Sequence, residues 1–264
     1  MIGEAGQEVS GNAWDAVCCV NGVLQLNYFR RNGSPTLPLY LYHDDLLLDK
    51  GSSRRRTNLS PEPFKRIAEA LGLQANKSAA FPDLAPEDIF GYAYAVFHSP
   101  GYRNRYAEFL KTDFPRLPLT GDLQLFRRLA CLGSELVALH LLQSPKLNDL
   151  PTTYDGPANP EVEKLSYARQ TVWLDKAQTK GFRGAPEAVW NFHVGGYQVC
   201  EKWLKDRKGK TLSNADIAHY QRVIVALSET IRIMAEIDKV IDAHGGWPGA
   251  FVTGEKASGK GASK

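Results

Sequence analysis

The stretch SNADIAHYQRVIVALSETIRIMAEIDKVIDAHGG, residues 213–246, is the clearest element of the chain. Ser213 stands at an N-cap position, with Asp216 three residues on. This is the spacing of a capping box, with Asp in place of the preferred Glu or Gln. Ile217, Tyr220, Ile224, Leu227, Ile231, Met234, Ile237 and Ile241 then recur at helical spacing. They share one face, which predicts a helix of roughly thirty residues ending near Ala243. His244-Gly245-Gly246 stops it.

Upstream of this helix the pattern changes. Tyr197–Arg207 reads as a short helix, and Gly195-Gly196 breaks what precedes it. The segments 164–176 and 181–194 alternate β-branched and aromatic residues, with Tyr167, Thr171, Val172 and Trp173 among them, and read as strands. Residues 144–160 are rich in Pro, Asn, Asp and Gly, which marks a boundary between two lobes. The first lobe begins with strand-like text. Asn21-Gly22 between two apolar runs signals a hairpin, and residues 38–42 alternate as a strand does. Residues 43–58, HDDLLLDKGSSRRRTN, read as a loop by composition. Helices are expected from Ser60-Pro61 to Gly72, from Pro86 to Phe97, from Ser99-Pro100 to about Lys111, and from about Gly121 to Leu142. Residues 113–118 hold two prolines and cannot be helical. The expected fold is mixed α/β in two lobes. A small β-sheet plus helices occupies 12–145, and strands with the long closing C-terminal α-helix occupy 150–245. Residues 1–11 read as a flexible lead-in and 252–264 as a disordered tail.

The 264 residues are 43% hydrophobic and 23% charged, ordinary for a folded globular protein. No apolar run approaches the ~20 residues of a membrane span. The polar N-terminus does not read as a secretion signal, so the cytoplasm is the simplest address. Cys18, Cys19, Cys131 and Cys200 match no common zinc spacing and are expected to be reduced and buried. The chain lacks a phosphate-binding GxxxxGK[ST] loop, GxGxxG, HExxH, GxSxG and an Asn-Pro-Pro-Tyr-type motif. Its six histidines are scattered, and His98 reads as a helix-end or core residue rather than a base. Asp44, Asp45 and Asp206 read as solvated charge. No catalytic residue, metal ligand or cofactor is therefore expected.

A net charge of +3 is too small to argue for nucleic acid, so the distribution of charge matters more. Three basic clusters stand out. They are Arg54, Arg55 and Arg56; Tyr102, Arg103, Arg105, Lys111 and Arg116, with Tyr106 one helical turn from Tyr102; and Lys202, Lys205, Arg207, Lys208 and Lys210. Lysines bind phosphates as point charges, and arginines reach guanine O6 and N7 with two hydrogen bonds. Tyr102 and Tyr106 pair with either of two roles, packing on sugar or base, or bracing helix on helix. A charge run is more often simply a solvated face, and Arg54–Arg56 could serve only to keep a loop soluble. Trp190, Phe192 and Tyr197 read as core rather than as a stacking platform.

PLYLY (38–42), NLSPE (58–62), PEDIFGYAYAVFHSPGYRNRYAEFLKTDFPRLPL (86–119) and LFRRLACLGSELVALHLL (125–142) form an ordered set of segments. With VWNFHVGGYQVCEKWLKDRKGKTLSNADIAHYQRVIVALSETIRIMAEID (189–238), they resemble the C-terminal specificity region of type ISP restriction-modification enzymes. The resemblance covers about residues 12–245. In that family one polypeptide joins a nuclease, a helicase-like ATPase, an adenine N6-methyltransferase and this target-recognition region. The resemblance implies reading of a short asymmetric site on double-stranded DNA and positioning of the methyltransferase, which flips an adenine out of the stack. It implies the methyltransferase and helicase-like domains as partners, and it does not say which residues touch bases. The three basic clusters are expected along one positive face docked in the major groove. The alternative is a protein-interaction module that docks on those domains through the long helix, with only indirect DNA contact.

Overall fold

A computed structural model describes residues 2–4, 17–22, 36–43, 54–74, 81, 83–111 and 113–251. The second arm of the expected hairpin, the Asp44-Asp45 segment and the tail 252–264 lie outside the described residues. Contacts divide the chain into two units. Among the described residues, one takes in 2–4, Val17–Val137 and 234–251, and the other takes in Ala138–Ile233.

In the first unit, β1 (Ile2–Glu4) lies between β2 (Val17–Cys19) and β3 (Thr36–Leu37), antiparallel to both. Residues 2–4 therefore pair in a sheet rather than lead in freely, because ladder pairing uses backbone groups that side-chain polarity does not disclose. The strands β4 (Tyr40–His43) and β5 (Arg54–Thr57) form a two-stranded antiparallel ribbon. The expected loop over 43–58 is corrected for residues 54–57, whose arginine run is a strand because Tyr40–His43 offers it a partner.

Helix α1 (Pro61–Ala70) and helix α2 (Pro86–His98) begin on proline as expected. In α2 nearly every residue from Ile89 onward is buried, so it is a core helix rather than an amphipathic one. The expected third helix is broken into α3 (Pro100–Arg105) and α4 (Ala107–Leu110), with Tyr106 at φ −105° between them. Helix α5 (Leu123–His140) crosses α2 at two glycines. A Cβ on Gly133 would stand 1.8 Å from the Gly91 carbonyl oxygen, and one on Gly91 would stand 2.5 Å from that of Ala130. His98 is 5% exposed, its Nδ1 2.8 Å from the Tyr94 carbonyl oxygen, in keeping with a core histidine.

The second unit is built on a four-stranded antiparallel sheet of order β6-β9-β8-β7. Its strands are β6 (Thr153–Asp155), β7 (Ser166–Ala168), β8 (Thr171–Trp173) and β9 (Gly181–Arg183). β6 falls inside the stretch expected to be a linker, since its pairing with β9 is long-range and leaves no local signature. Arg169 and Gln170 turn β7 into β8 with φ of 52° and 55°. Left-handed backbone costs a side-chain-bearing residue ~1 kcal/mol or more. The segment 181–194, expected to be extended, contains one helical turn, α6 (Glu187–Trp190), which Pro186 opens. A small hairpin follows, β10 (His193–Val194) and β11 (Tyr197–Gln198), turned by Gly195 and Gly196 at φ 57° and 82°. Helix α7 (Val199–Lys205) and the long helix α8 (Asn214–Ala243) follow.

The core of this unit joins Val172 and Phe182 of the sheet, with Leu174 just past β8, to Cys200 and Leu204 of α7 and to Tyr220 and Ile224 of α8. The capping box forms as spaced. The Asp216 amide donates to Ser213 Oγ at 3.1 Å, and the Ser213 amide donates back to the Asp216 carboxylate at 3.0 Å. The last turns of α8 belong to the first unit. There Asp238 accepts from the Gly101 amide at 2.9 Å and from the Ser99 hydroxyl, securing the start of α3. Cys19 and Cys200 are buried, and burial pushes the Cys200 thiol up to about 12. Cys131 is exposed on α5, a correction to the expectation of four buried cysteines.

Candidate nucleic-acid interface

The basic clusters divide between the units, the first two in one and the third in the other, so each is described by itself. In the β4–β5 ribbon, Arg54 pairs with His43, Arg55 with Tyr42, and Arg56 with Leu41. The Arg55 guanidinium lies 3.6 Å over the Tyr40 ring and 3.1 Å from Glu87. Partial burial raises the Glu87 carboxyl, but hydrogen bonding from Tyr40 and the charge of Arg55 outweigh it and leave its pKa lowered. Arg55 is thus held in place and partly neutralised. Arg56, on the opposite face of the strand, is exposed, and so is Tyr42, at 64%.

The second cluster is largely turned to internal use. Tyr102 is 2% exposed, and its hydroxyl donates to the Arg116 carbonyl at 2.8 Å. Of the two roles left open for it, its burial fits the bracing one rather than stacking on sugar or base: it holds the proline-rich segment against α3. Tyr92 does the same through the Pro118 carbonyl at 2.7 Å. Arg103 Nε donates to the Phe97 carbonyl at 2.7 Å. Lys111 pairs with Glu108 at 2.9 Å, and Arg116 with Asp113 at 3.4 Å. Arg105 is exposed.

The third cluster is the most compact. Lys202 and Lys205 of α7 pair with Asp206 and Glu201. Arg207 packs its guanidinium 3.5 Å over the Trp203 ring and donates to the Trp203 carbonyl at 3.0 Å, with Asp216 at 3.9 Å. His219 stacks on Trp203 as well. Burial and the charge of Arg207 lower its pKa, so it is neutral at pH 7. Lys208 and Lys210 stand exposed on the turn between α7 and α8, with Gly209 at φ 73° between them. The turn's backbone is fixed on both sides: the Gly209 amide donates to the Val162 carbonyl at 2.8 Å, and the Val162 amide donates to that of Lys210 at 3.0 Å. Among the described residues, Arg56, Arg105, Lys208 and Lys210 face no carboxylate within ion-pair distance. The turn is a rigid mount for uncompensated positive charge, suited to an anionic backbone.

Sequence reasoning missed the aromatic partners. Trp203 and Arg207 are four apart, which places them on one helix face, so that stack was legible from spacing. The stack of Arg55 on Tyr40 was not, since it depends on the strand pairing. Trp190 and Phe192 pack against the core as expected, whereas Tyr197 is 59% exposed, with Lys202 Nζ 5.8 Å from its ring centre. No helix among the described residues is long and apolar enough to cross a membrane.

Residues 1–236 match the family model of the Type ISP C-terminal specificity domain. Among solved structures, the chain resembles the ATP-dependent Type ISP restriction-modification enzyme LlaBIII bound to DNA. The TM-score is 0.63 at 20% identity, covering 90% of this chain and 16% of that one. It also resembles DrdV in a cryoEM structure of its DNA complex, with a TM-score of 0.58 at 24% identity, covering 90% of this chain and 24% of that one. At these identities the likeness is one of fold. No curated protein matches. The chain spans less than a quarter of the length of either enzyme.

Proposed function

The chain belongs to the Type ISP C-terminal specificity domain family, and from that premise we propose that it binds duplex DNA, reads a short asymmetric sequence and positions an adenine methyltransferase upon it. The observation that carries this reading is the rigid turn at Lys208–Lys210, which presents charge that no carboxylate of the described residues neutralises. Lysines so mounted hold phosphates and set register without reading sequence. In the other unit, the ribbon that carries Arg54, Arg55 and Arg56 is a second candidate element. A two-stranded ribbon fits the major groove, and arginine is the residue suited to guanine there. Arg103, Arg105, Lys111 and Arg116 in the one unit and Lys202, Lys205 and Arg207 in the other add positive charge, that of Lys111, Arg116, Lys202 and Lys205 being largely neutralised by ion pairs within the chain.

In this reading the chain contributes recognition and no catalysis, and methylation, ATP hydrolysis and cleavage belong to other domains of a larger cytoplasmic enzyme. The methyltransferase and helicase-like domains are its protein partners. The test is selection from a pool of random duplexes at two salt concentrations, with sequencing of what is retained. Enrichment of a short asymmetric motif, with affinity falling as salt rises, is the expected result. Absence of binding at both salts would overturn the proposal and favour a module that docks on the partner domains.

A further inference from the structure

The β7–β8 hairpin turns on two residues, and hairpins of that length strongly prefer Asn-Gly or a related pair, because both positions take left-handed backbone. Here they are Arg169 and Gln170, at φ 52° and 55°. Both are exposed, and among the described residues neither side chain has a hydrogen-bond or ion-pair partner. The fold gains nothing from these two side chains that a glycine-containing turn would not supply better.

The backbone beneath them is fixed. The Gln170 carbonyl accepts from the Ala185 amide at 2.9 Å. The Arg169 carbonyl accepts from the hydroxyl of buried Thr171 at 3.2 Å. A strained turn is thus held firmly while two long polar side chains are presented to solvent, the pattern of a functional tip rather than a neutral loop. The chemistry of the pair narrows the ligand. Arginine forms a two-bond contact with O6 and N7 of guanine, and glutamine forms one with N6 and N7 of adenine.

We infer that the Arg169-Gln170 tip is a base-reading element that enters the major groove, Arg169 reading a guanine and Gln170 an adenine. This rests on the proposed reading of DNA by the chain and assigns part of the sequence discrimination to one hairpin. It is separate in role from the Lys208–Lys210 turn, which holds phosphates.

The test uses the 264-residue chain and the double substitution Arg169→Asn with Gln170→Gly. Because Asn-Gly suits the turn, the variant is expected to fold and to melt at a higher temperature than the parent. Its affinity for random duplex and its salt dependence should be unchanged. Preference for the motif selected by the parent should fall about tenfold to hundredfold per base read, given the worth of a two-bond contact. Arg169→Asn alone should relax a guanine position and Gln170→Gly alone an adenine position. If the parent selects a motif and the double variant keeps the full preference, the inference fails while the function proposed above stands. If Arg169→Asn lowers the salt dependence and leaves the motif intact, Arg169 holds a phosphate and the inference is again overturned. If the parent selects no motif, both fail together.

Discussion

Replacing Lys208 and Lys210 by alanine offers a quantitative test of the phosphate-binding turn. Both side chains are exposed and neither has a carboxylate partner among the described residues, so no internal ion pair is lost. The hydrogen bonds that fix the turn are backbone bonds with Val162, and alanine keeps them. Stability should therefore change by no more than about 0.5 kcal/mol, as for an ordinary surface substitution. Binding should change far more. Each phosphate contact contributes a slope of about −0.9 to the logarithm of affinity against the logarithm of salt. At 0.1 M salt each is then worth roughly eightfold relative to 1 M, and two are worth about sixtyfold. The assay is fluorescence anisotropy on a labelled duplex at several salt concentrations. The slope should become shallower by about 1.8, the loss should be uniform across duplex sequences, and the lines should converge near 1 M. Removing the self-neutralised pair Lys202 and Asp206 together should leave the slope nearly unchanged. An unchanged slope for the Lys208 and Lys210 variant, or a loss confined to one duplex sequence, would refute the assignment of these lysines to phosphates.

Four further outcomes follow from packing and capping. Gly133→Ala should destabilise the protein by about 3 kcal/mol in chemical denaturation, outweighing alanine's ~1 kcal/mol helix preference, because the added methyl group collides with the Gly91 carbonyl. Ser213→Ala should cost about 1 kcal/mol through loss of the cap of α8. Hydrogen bonds from Ser213 hold the Asp216 carboxyl below its ordinary pKa, so its contribution is complete above the usual aspartate range and lost as pH falls through the depressed value; the stability difference between the parent and Asp216→Asn, followed by chemical denaturation across pH, should shrink over that range. A thiol reagent should modify Cys131 rapidly in the native protein and reach Cys19 and Cys200 only on unfolding, as followed by mass spectrometry.

Sequence alone determined the elements whose causes are local. The capping box and apolar period of α8, the proline starts of α1 and α2, and the basic turn after α7 all depend on residues within one or two helical turns of each other. The family was also legible, because ordered segments carry it. Tertiary structure decided what depends on partners distant in the chain. It made a strand of Arg54–Thr57 by supplying Tyr40–His43, and a strand of Thr153–Asp155 by supplying β9. It buried Tyr102 under the Arg116 carbonyl and assigned the last turns of α8 to the first unit through Asp238, Ser99 and Gly101. The physical reason is common to all of these. A cap or a helical period is complete within a short window of sequence, whereas ladder pairing, burial and the neutralisation of charge are properties of pairs brought together only by folding.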